Sequence, residues 1–439
     1  MKKILIISYY FPPLGWSGVQ RTLKYVKYLR NYGGEPIVVT VGKTTFSVVD
    51  TTMNKEIPND VHVIRIDDIR LKDITDRYTK ELLGYTNETL KVLKEDSIYE
   101  EYVNKIEENI KELRDLILLP DGNVIWANNV ITSIGEKIDF SEIDVIYTTS
   151  SPYSSHMIGY RLKQKYNIPW IADFRDEWTN NPYSKFNEES LSFRLQYSME
   201  SEILKYANKI TVVTELMAEN YVKNFKLERK KVEVITNGYD EEDFKDLFID
   251  NTNKFKIIHN GSFYSIRNPY IFLKAIVDLI DKSKLDENMI EIEFIGKNDD
   301  NIIAESLNIL GDKSKILKIR EYVSHRKSLE MMNKGTMLLL VIGPNSKTIY
   351  TGKVFEYLRI TKPILSLGTK DSVVEELLNK TGCGINVEYD DIESIEKAIL
   401  KFYNDWLNEV ELSYNEEEIR KYERSKLTEK FSQVLDELI

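Results

Sequence analysis

The sequence predicts an α/β protein with two parallel β-sheets, one in each half of the chain. Short β-branched runs alternate with longer amphipathic segments from beginning to end, which is typical of parallel strands joined by crossover helices. With 439 residues, 42% of them hydrophobic, the chain can fill two cores. The predicted strands are 4–7, 37–41, 61–66, 145–148, 170–174, 210–214 and 232–236 in the first half, and 255–259, 290–295, 337–341, 363–367 and 385–387 in the second.

The domain boundaries follow from a hydrophilic stretch near the middle of the chain. Residues 237–253 are rich in Asp and Asn, a composition typical of linkers. We therefore expect an N-terminal domain of residues 1–245 and a C-terminal domain of residues 246–417. Residues 418–439 form a last amphipathic helix, which we expect to dock on the N-terminal domain. The apolar stripe of this helix contains Leu427, Phe431, Leu435 and Leu438.

A helical insertion interrupts the strand rhythm of the first half between residues 68 and 128. Apolar residues recur there at steps of three or four, as on one face of an amphipathic helix. We expect this insertion to cover the N-terminal sheet or the entrance for an acceptor, and a lipid-facing surface is the alternative. The residues of the stripe are Val103, Ile106, Ile110, Leu113 and Ile117.

Composition and charge exclude several classes of protein. A net charge of −11 argues against nucleic-acid binding, which requires many basic side chains. The single cysteine, Cys383, cannot form an internal disulfide, so a reducing compartment is expected. The longest apolar run, Met337–Ile342, is far short of the roughly 20 residues that span a bilayer. We expect a cytoplasmic protein, with peripheral association with the inner face of the cell membrane as a further expectation from the basic residues before Glu35.

Three turns of the N-terminal half follow predicted strands and should open at one sheet edge. The first contains Gly18, which would let backbone approach a phosphate, although a plain strand-to-helix turn is the alternative. The second leads to His156, a candidate base or a structural hydrogen-bonding residue. The third contains Asp173, Arg175 and Asp176, which would orient a sugar or activate its hydroxyl, unless the Arg–Asp pair only locks a loop.

The C-terminal half offers an anion site after its first strand. Gly261 permits close approach of a ligand, and Arg267 precedes a helix and is able to clamp a diphosphate. A charge-assisted contact of this kind contributes roughly 1.5 to 3 kcal/mol. An exposed arginine without a ligand is the alternative.

A second segment of the C-terminal half, which follows the strand 337–341, completes this candidate site. Thr351 and Gly352 would begin a helix whose free N–H groups face phosphate. Lys353 would add positive charge, and Glu356, one turn later, would accept both hydroxyls of a ribose. A glutamate that only offsets the helix dipole is the alternative.

The motifs in these segments resemble a known enzyme family along nearly the whole chain and in the family's order. The chain resembles the family-four group of retaining glycosyltransferases with the GT-B fold, and most closely a bacterial branch that builds surface polysaccharides. The resemblance implies two Rossmann-like domains that face a central cleft, a nucleotide-sugar donor bound mainly by the C-terminal domain, and no bound metal or other cofactor. The motifs are MKKILIISYYFPPLGWSGVQR, IPWIADFRDEW, VEVITNGYDEEDF, IIHNGSFYSIRNP and TGKVFEYLRITKPIL.

The resemblance also implies roles for individual residues. By position, Gly18 is similar to the loop glycine near the donor phosphates, and Arg267 is similar to the basic diphosphate clamp. Thr351 and Gly352 correspond to the phosphate-facing backbone, and Glu356 corresponds to the ribose-binding second Glu of an E-x7-E motif.

At three positions the chain departs from the family pattern. Thr348 stands where the family usually has the first Glu of E-x7-E, and Ser262 stands where many members have an Arg. The histidine that many members show after an Asp-Val-x-x motif is missing, because Thr148 follows Asp144-Val145-Ile146-Tyr147. We expect His156 or the group of Asp173, Arg175 and Asp176 to fill that role.

Together, the candidate site and the family resemblance predict a metal-independent hexosyltransferase. It would move a sugar with retention from a nucleotide-diphosphate sugar to a saccharide or a polyprenyl-diphosphate-linked acceptor, in the synthesis of capsule, O-antigen or a similar surface polysaccharide. The four histidines, at positions 62, 156, 259 and 325, lack zinc-ligand spacing. Two alternatives stay open: an inactive nucleotide-sugar-binding partner of another transferase, and a nucleotide-sugar epimerase.

Overall fold

The chain forms two compact units, each with one parallel β-sheet. Unit 1 comprises Met1–Val234 and Thr428–Ile439, and unit 2 comprises Ile235–Leu427. The prediction of two α/β sheets is confirmed. The computed structural model describes residues 1–15, 17–44, 48–68, 81, 84, 97–181, 186–247, 253–263 and 267–439.

The sheet of unit 1 has seven strands: β1 (Lys2–Ile7), β2 (Gly34–Val41), β3 (His62–Ile66), β4 (Val145–Ser150), β5 (Trp170–Phe174), β6 (Lys209–Val212) and β7 (Val232–Val234). Their order is β3-β2-β1-β4-β5-β6-β7, and all pairs are parallel. The side chains of Ile4, Leu5, Ile6 and Ile7 are all completely buried. Both faces of a parallel sheet are covered by helices, so its central strands are apolar on both sides.

Capping contacts fix where several helices of unit 1 begin. Ser190 and Thr214 each accept a hydrogen bond from the backbone N–H group three residues further along the chain, as N-cap residues do. The carboxylate of Asp121 accepts from both the N–H and the hydroxyl of Ser154 at 2.9 and 2.8 Å. The helices are α1 (Ser17–Tyr28), α2 (Ser97–Ile117), α3 (Val124–Ser133), α4 (Ser154–Tyr166), α5 (Leu191–Tyr206) and α6 (Glu215–Phe225).

The sheet of unit 2 has six strands: β8 (Phe255–Asn260), β9 (Ile290–Ile295), β10 (Leu317–Arg320), β11 (Met337–Val341), β12 (Ile364–Gly368) and β13 (Gly384–Glu388). Their order is β10-β9-β8-β11-β12-β13. The sequence did not predict β10, because two of its four residues, Lys318 and Arg320, are charged. Both form ion pairs with glutamates of the neighbouring strand β9, so this edge strand is held partly by charge.

The core of unit 2 lies between its sheet and the covering helices. Leu273, Ile276 and Leu279 on the first helix pack in the same cluster as Ile395 and Ile399. These side chains lie at steps of three or four along their helices, as the amphipathic pattern of the sequence requires. The helices are α7 (Tyr270–Asp281), α8 (Asp300–Leu310), α9 (His325–Asn333), α10 (Gly352–Ile360), α11 (Val373–Thr381), α12 (Ile392–Leu407) and α13 (Glu416–Arg420).

The unit boundaries lie close to the predicted linker but do not coincide with it. Unit 2 begins at Ile235, ahead of the expected start at residue 246. The backbone of Tyr239 explains the difference, because its N–H donates to the carbonyl of Tyr422 and its carbonyl accepts from Arg424. These bonds tie the start of unit 2 to the segment that precedes the last helix.

The last helix, α14 (Arg424–Asp436), enters unit 1 at Thr428. Phe431 is completely buried and packs against two tyrosines of unit 1, with ring centroids 4.6 Å from Tyr25 and 4.9 Å from Tyr147. Phe431 of the predicted apolar stripe thus packs within unit 1, and Leu435 of the same stripe is also buried.

The described residues of the predicted insertion include helix α2 and the first part of α3, and residues 69–80, 82–83 and 85–96 lie outside the described residues. At the C-terminal end of α2 the apolar stripe is exposed, since Leu113 is 59% exposed and Ile117 is 62% exposed. The side chain of Val103 lies outside the description. In the described part of the chain, no helix combines the length and apolar character needed to cross a bilayer.

Candidate functional site

Each sheet has a point at which the strand order changes direction, between β1 and β4 in unit 1 and between β8 and β11 in unit 2. In open α/β sheets, ligands bind outside the carboxyl ends of the strands at this point. Gly18, His156, Gly261, Arg267 and the predicted residues of α10 lie after these strands, whereas Asp173, Arg175 and Asp176 lie at or just after the end of the neighbouring strand β5.

In unit 2, β8 and β11 separate before they end. Their pairing stops at Ile258, although β8 continues to Asn260. Beyond this point, hydrogen bonds that involve side chains replace the backbone pairing of the two strands. His259 donates its Nδ1 hydrogen to the carbonyl of Leu339 at 2.9 Å, and the Asn260 N–H donates to the Tyr357 hydroxyl at 2.9 Å. The sheet therefore opens at its carboxyl edge around polar groups.

His259 is a buried, neutral imidazole at this opening. Burial, reinforced by the charge of Lys353, holds the pKa of His259 well below its usual value. Because the carbonyl of Leu339 only accepts, Nδ1 carries the proton and Nε2 has a free lone pair. Among the described residues, Nε2 has no hydrogen-bond partner. The ring stacks on Phe263 with centroids 4.1 Å apart.

Lys353 crosses directly over the glycine that follows β8. A methyl group at Gly261 would overlap the Nζ atom of Lys353. Gly261 also has a φ of +131°, which side chains rarely tolerate. The sequence predicted Gly261 as a point of close approach, and in this structure it is the lysine that approaches.

The surroundings of Lys353 disfavour its positive charge. Loss of hydration and, to a smaller extent, the charge of Arg267 lower the pKa of Lys353, and Glu356 opposes them; the net pKa is about 7. No ion pair within 4.0 Å joins Lys353 to a carboxylate of the described residues. A cation that is poorly hydrated and unmatched by a carboxylate is suited to an anionic ligand.

Arg267 stands next to Lys353 and is anchored to the end of β11. Its Nε and Nη2 atoms donate to the carbonyl of Val341 at 3.2 and 3.0 Å. Residues 264–266 lie outside the described residues. The structure thus brings Arg267 and Lys353, two predicted donor-binding cations, to the same opening of the sheet.

Helix α10 begins at this opening. Thr351 is its N-cap residue with extended backbone angles, and its side chain does not cap the helix. In the described residues the buried Oγ1 of Thr351 lacks a hydrogen-bond partner. The first N–H groups of the helix, from Gly352 onward, are therefore not satisfied by this side chain, and a helix N-terminus favours an anion through its dipole.

Glu356, one turn further along α10, is held by a histidine that the sequence did not single out. The Nε2 atom of His325 lies 2.8 Å from Oε1 of Glu356. Both side chains are mostly buried, with 20% and 17% of their surface exposed. Thr348, at the position of the missing first glutamate, is half-buried in the loop before α10. A single histidine in a polar segment gave no periodic signal, so sequence reasoning missed His325.

In unit 1, Arg175 joins the three loops that the sequence placed at one edge. Its guanidinium donates to the carbonyls of Gly18 at 2.5 Å and Ser151 at 2.8 Å, and also to the carbonyl of Ser150. A methyl group at Gly18 would meet Nη1 of Arg175 at 2.7 Å. The space beside Gly18 is occupied by this arginine, so Arg175 acts here by positioning loops.

Asp173 lies at the end of β5 and is completely buried. It accepts from Arg21 at 2.7 and 3.1 Å, and from the hydroxyls of Thr149 and Thr211 at 2.7 and 2.6 Å. Burial alone would raise the pKa of Asp173, but Arg21 and the hydroxyl bonds outweigh it, so the pKa is lowered. As placed, Asp173 connects the ends of β4, β5 and β6 with Arg21, whereas the alternative considered from the sequence was an Arg–Asp pair that locks a loop.

His156 and Asp176 differ in their access to solvent. His156 is completely buried, with Nδ1 2.8 Å from the Thr148 hydroxyl, and burial lowers its pKa to about 3. Thr148 also accepts from Trp170 at 2.8 Å. Asp176 and Arg175 are both half-buried, whereas Asp173 and His156 are completely buried. Since Arg175 is bound to loop carbonyls, Asp176 is the accessible one of the four predicted acceptor-side residues that those bonds do not hold.

Comparison with known proteins is consistent with this geometry. Residues 94–243 match the family model described as Glycosyltransferase Family 4. No curated protein sequence gives a significant match. Among solved structures, a glycosyltransferase from Rickettsia africae has a TM-score of 0.65 at 15% identity and covers 100% of this chain and 98% of its own.

Two further structures show the same fold. The Anabaena protein HepE, in complex with UDP, has a TM-score of 0.63 at 10% identity over 100% of both chains. A mutant of Staphylococcus aureus TarM, in complex with UDP and saccharides, has a TM-score of 0.61 at 10% identity, covering 99% of this chain and 100% of that one. The chain therefore has the GT-B fold of these enzymes, and residues 94–243 carry the sequence pattern of Glycosyltransferase Family 4.

Proposed function

We propose that the chain is a glycosyltransferase that takes a hexose from a nucleotide-diphosphate sugar bound by unit 2. The observation that carries this proposal is the cluster of Arg267, Lys353 and the N-terminus of α10 at the strand opening of unit 2. The family match over residues 94–243 supports the same class of enzyme. Two of the compared structures hold UDP, which supports a nucleotide-sugar donor.

The cluster has the charge distribution that such a donor requires. The diphosphate would lie against Arg267, Lys353 and the amides at Gly352, because all three offer positive charge or N–H donors. The ribose would lie toward Glu356, whose carboxylate accepts hydrogen bonds from hydroxyls. Thr348, which offers a hydroxyl instead of a carboxylate, would contact the donor sugar.

The chemistry follows from where charge develops. Breaking the bond between sugar and phosphate makes the anomeric carbon positive and the departing diphosphate negative. Fixed cations that face the diphosphate stabilise that transition state more than the ground state. Arg267 and Lys353 would supply this stabilisation, so we propose that catalysis requires no metal or other cofactor. Retention of the anomeric configuration is part of the proposal and follows the family resemblance.

The acceptor would be bound by unit 1. Arg175 holds the loops after β1, β4 and β5 together, and the half-buried Asp176 lies on the last of them. We propose that Asp176 orients an acceptor hydroxyl, and that Asp173, Arg175 and His156 keep the neighbouring strand ends and loops of unit 1 in place. The acceptor would be a saccharide or a polyprenyl-diphosphate-linked sugar at the inner membrane face, used for a bacterial surface polysaccharide.

Radiolabelled nucleotide sugars test this function. The protein should release nucleoside diphosphate slowly from one donor in a panel based on UDP, GDP and ADP, and should leave the others intact. Release should stop in Lys353→Met and persist in Lys327→Ala, a substitution on the exposed surface of α9. Binding without turnover would instead indicate an inactive partner subunit. Conversion of the donor into an isomeric nucleotide sugar would indicate an epimerase, and either result would overturn the proposal.

A further inference from the structure

The charged residues of the candidate donor site include a pair whose partners are unexpected. Lys353 and Glu356 lie three positions apart on α10, a spacing at which lysine and glutamate side chains are neighbours on a helix surface. An ion pair between them would be the ordinary outcome. Instead, Glu356 contacts His325 on α9 at 2.8 Å, and Lys353 lies over Gly261.

The side chains of Lys353 and Glu356 still interact electrostatically. The charge of Glu356 raises the pKa of Lys353 against the stronger effects of burial and Arg267. A carboxylate that turned toward Lys353 would therefore gain attraction. It would also neutralise the cation that faces the strand opening. The contact with His325 is the interaction that opposes this rotation.

His325 is well placed to hold the carboxylate. It is the first residue of α9, and its carbonyl accepts from the Ser328 hydroxyl at 2.8 Å. Its Nε2 atom lies 2.8 Å from Oε1 of Glu356. Within the described residues, the other oxygen, Oε2, takes part in no hydrogen bond, so it stays available to accept from hydroxyl groups.

We propose that His325 is a positioning residue that keeps the Glu356 carboxylate turned away from Lys353. The site is then divided into a basic end for the diphosphate and an acidic end for the ribose hydroxyls. This inference rests on the proposed function, because it assigns one nucleotide donor to both ends. Loss of His325 weakens both ends together, since the freed carboxylate leaves the ribose position and pairs with Lys353.

A purely structural tie between α9 and α10 would behave differently, and a second substitution separates the two cases. Inorganic pyrophosphate is the probe for the basic end, and UDP is the probe for the whole site, with GDP and ADP measured alongside. Affinities are measured by calorimetry on the full chain, and thermal denaturation verifies folding. The variants are His325→Ala, His325→Gln, Glu356→Ala, the double variant His325→Ala with Glu356→Ala, and the control Lys327→Ala.

His325→Ala should weaken pyrophosphate binding by roughly two- to fivefold, the range of a partly exposed ion pair. It should weaken nucleoside diphosphate binding by roughly tenfold, because a charge-assisted contact is also lost. Adding Glu356→Ala should restore pyrophosphate affinity, since no carboxylate remains to occupy Lys353. His325→Gln, which keeps an N–H donor, and Lys327→Ala should both bind like the wild type.

Two results would overturn the inference while leaving the proposed function intact. One is unchanged pyrophosphate affinity in His325→Ala, and the other is a double variant that stays as weak as His325→Ala. If the wild-type protein binds neither pyrophosphate nor any of the three nucleoside diphosphates, the proposed function fails and the inference fails with it.

Discussion

Replacement of Gly261 by alanine tests whether Lys353 belongs to the donor site. The added methyl group would occupy the position of the Lys353 Nζ atom, so the lysine must leave its place over the strand end. The substitution removes no polar group and lies directly after β8. The expected result is a folded protein that has lost much of its affinity for a diphosphate.

The magnitude has two parts. The φ of +131° at Gly261 would cost a residue with a Cβ about 1 to 3 kcal/mol of folding stability. The displaced lysine would forfeit a charge-assisted contact of about 1.5 to 3 kcal/mol with the ligand, which corresponds to a roughly 10- to 150-fold weaker affinity. The backbone cost lowers the free energy of unfolding, and the lost contact lowers the affinity for the diphosphate.

Gly311→Ala is the matched control. Gly311 belongs to the same unit and also has a positive φ, +54°, but a methyl group there would meet nothing within 4 Å. Urea denaturation should show a loss of stability in both variants, and calorimetry with nucleoside diphosphate should show weaker binding only in Gly261→Ala. The double variant Gly261→Ala with Lys353→Met should bind no more weakly than Lys353→Met. Wild-type affinity in Gly261→Ala would refute the assignment of Lys353.

Three further predictions concern charge. Because the pKa of Lys353 is about 7, a diphosphate that binds at pH 8 should draw in about 0.9 proton; calorimetry in two buffers of different ionisation enthalpy should detect it, and Lys353→Met should abolish it. Asp173→Ala should cost about 3 to 5 kcal/mol in urea denaturation, because it removes the carboxylate of a buried ion pair with Arg21; a loss below about 1 kcal/mol would contradict the buried network. Turnover should persist in EDTA, since Arg267 and Lys353 provide the positive charge for the leaving group; a requirement for a protein-bound divalent ion would contradict that role.

Most strand positions could be predicted from the sequence, because parallel strands are buried on both faces and form continuous apolar runs. The predicted strand 170–174 matches β5 at both ends. β10 was missed because an edge strand with Lys318 and Arg320 lacks such a run. The stripe of α2 was correctly read as a helix, yet its periodicity could not show that Leu113 and Ile117 stay exposed.

The candidate site was predicted only in part, for a similar reason. Strand-end glycines and a helix start are local signals, so Gly261, Arg267 and Glu356 could be identified. The contact between His325 and Glu356 joins residues 31 positions apart and has no local signature. The burial of individual side chains could not be predicted from the sequence either. Because Asp173 is completely buried, it holds strand ends together through a hydrogen-bond network that includes Arg21.

The affinity of the Glu356→Ala and Arg267→Ala variants for a nucleoside diphosphate tests the central claim most directly. The claim is that the strand opening of unit 2 binds the nucleotide through a basic end and an acidic end. Calorimetry should show a loss of roughly tenfold or more in each variant, as expected when a charge-assisted contact is removed, with Lys327→Ala unchanged. Near-normal affinity in both variants would contradict the claim.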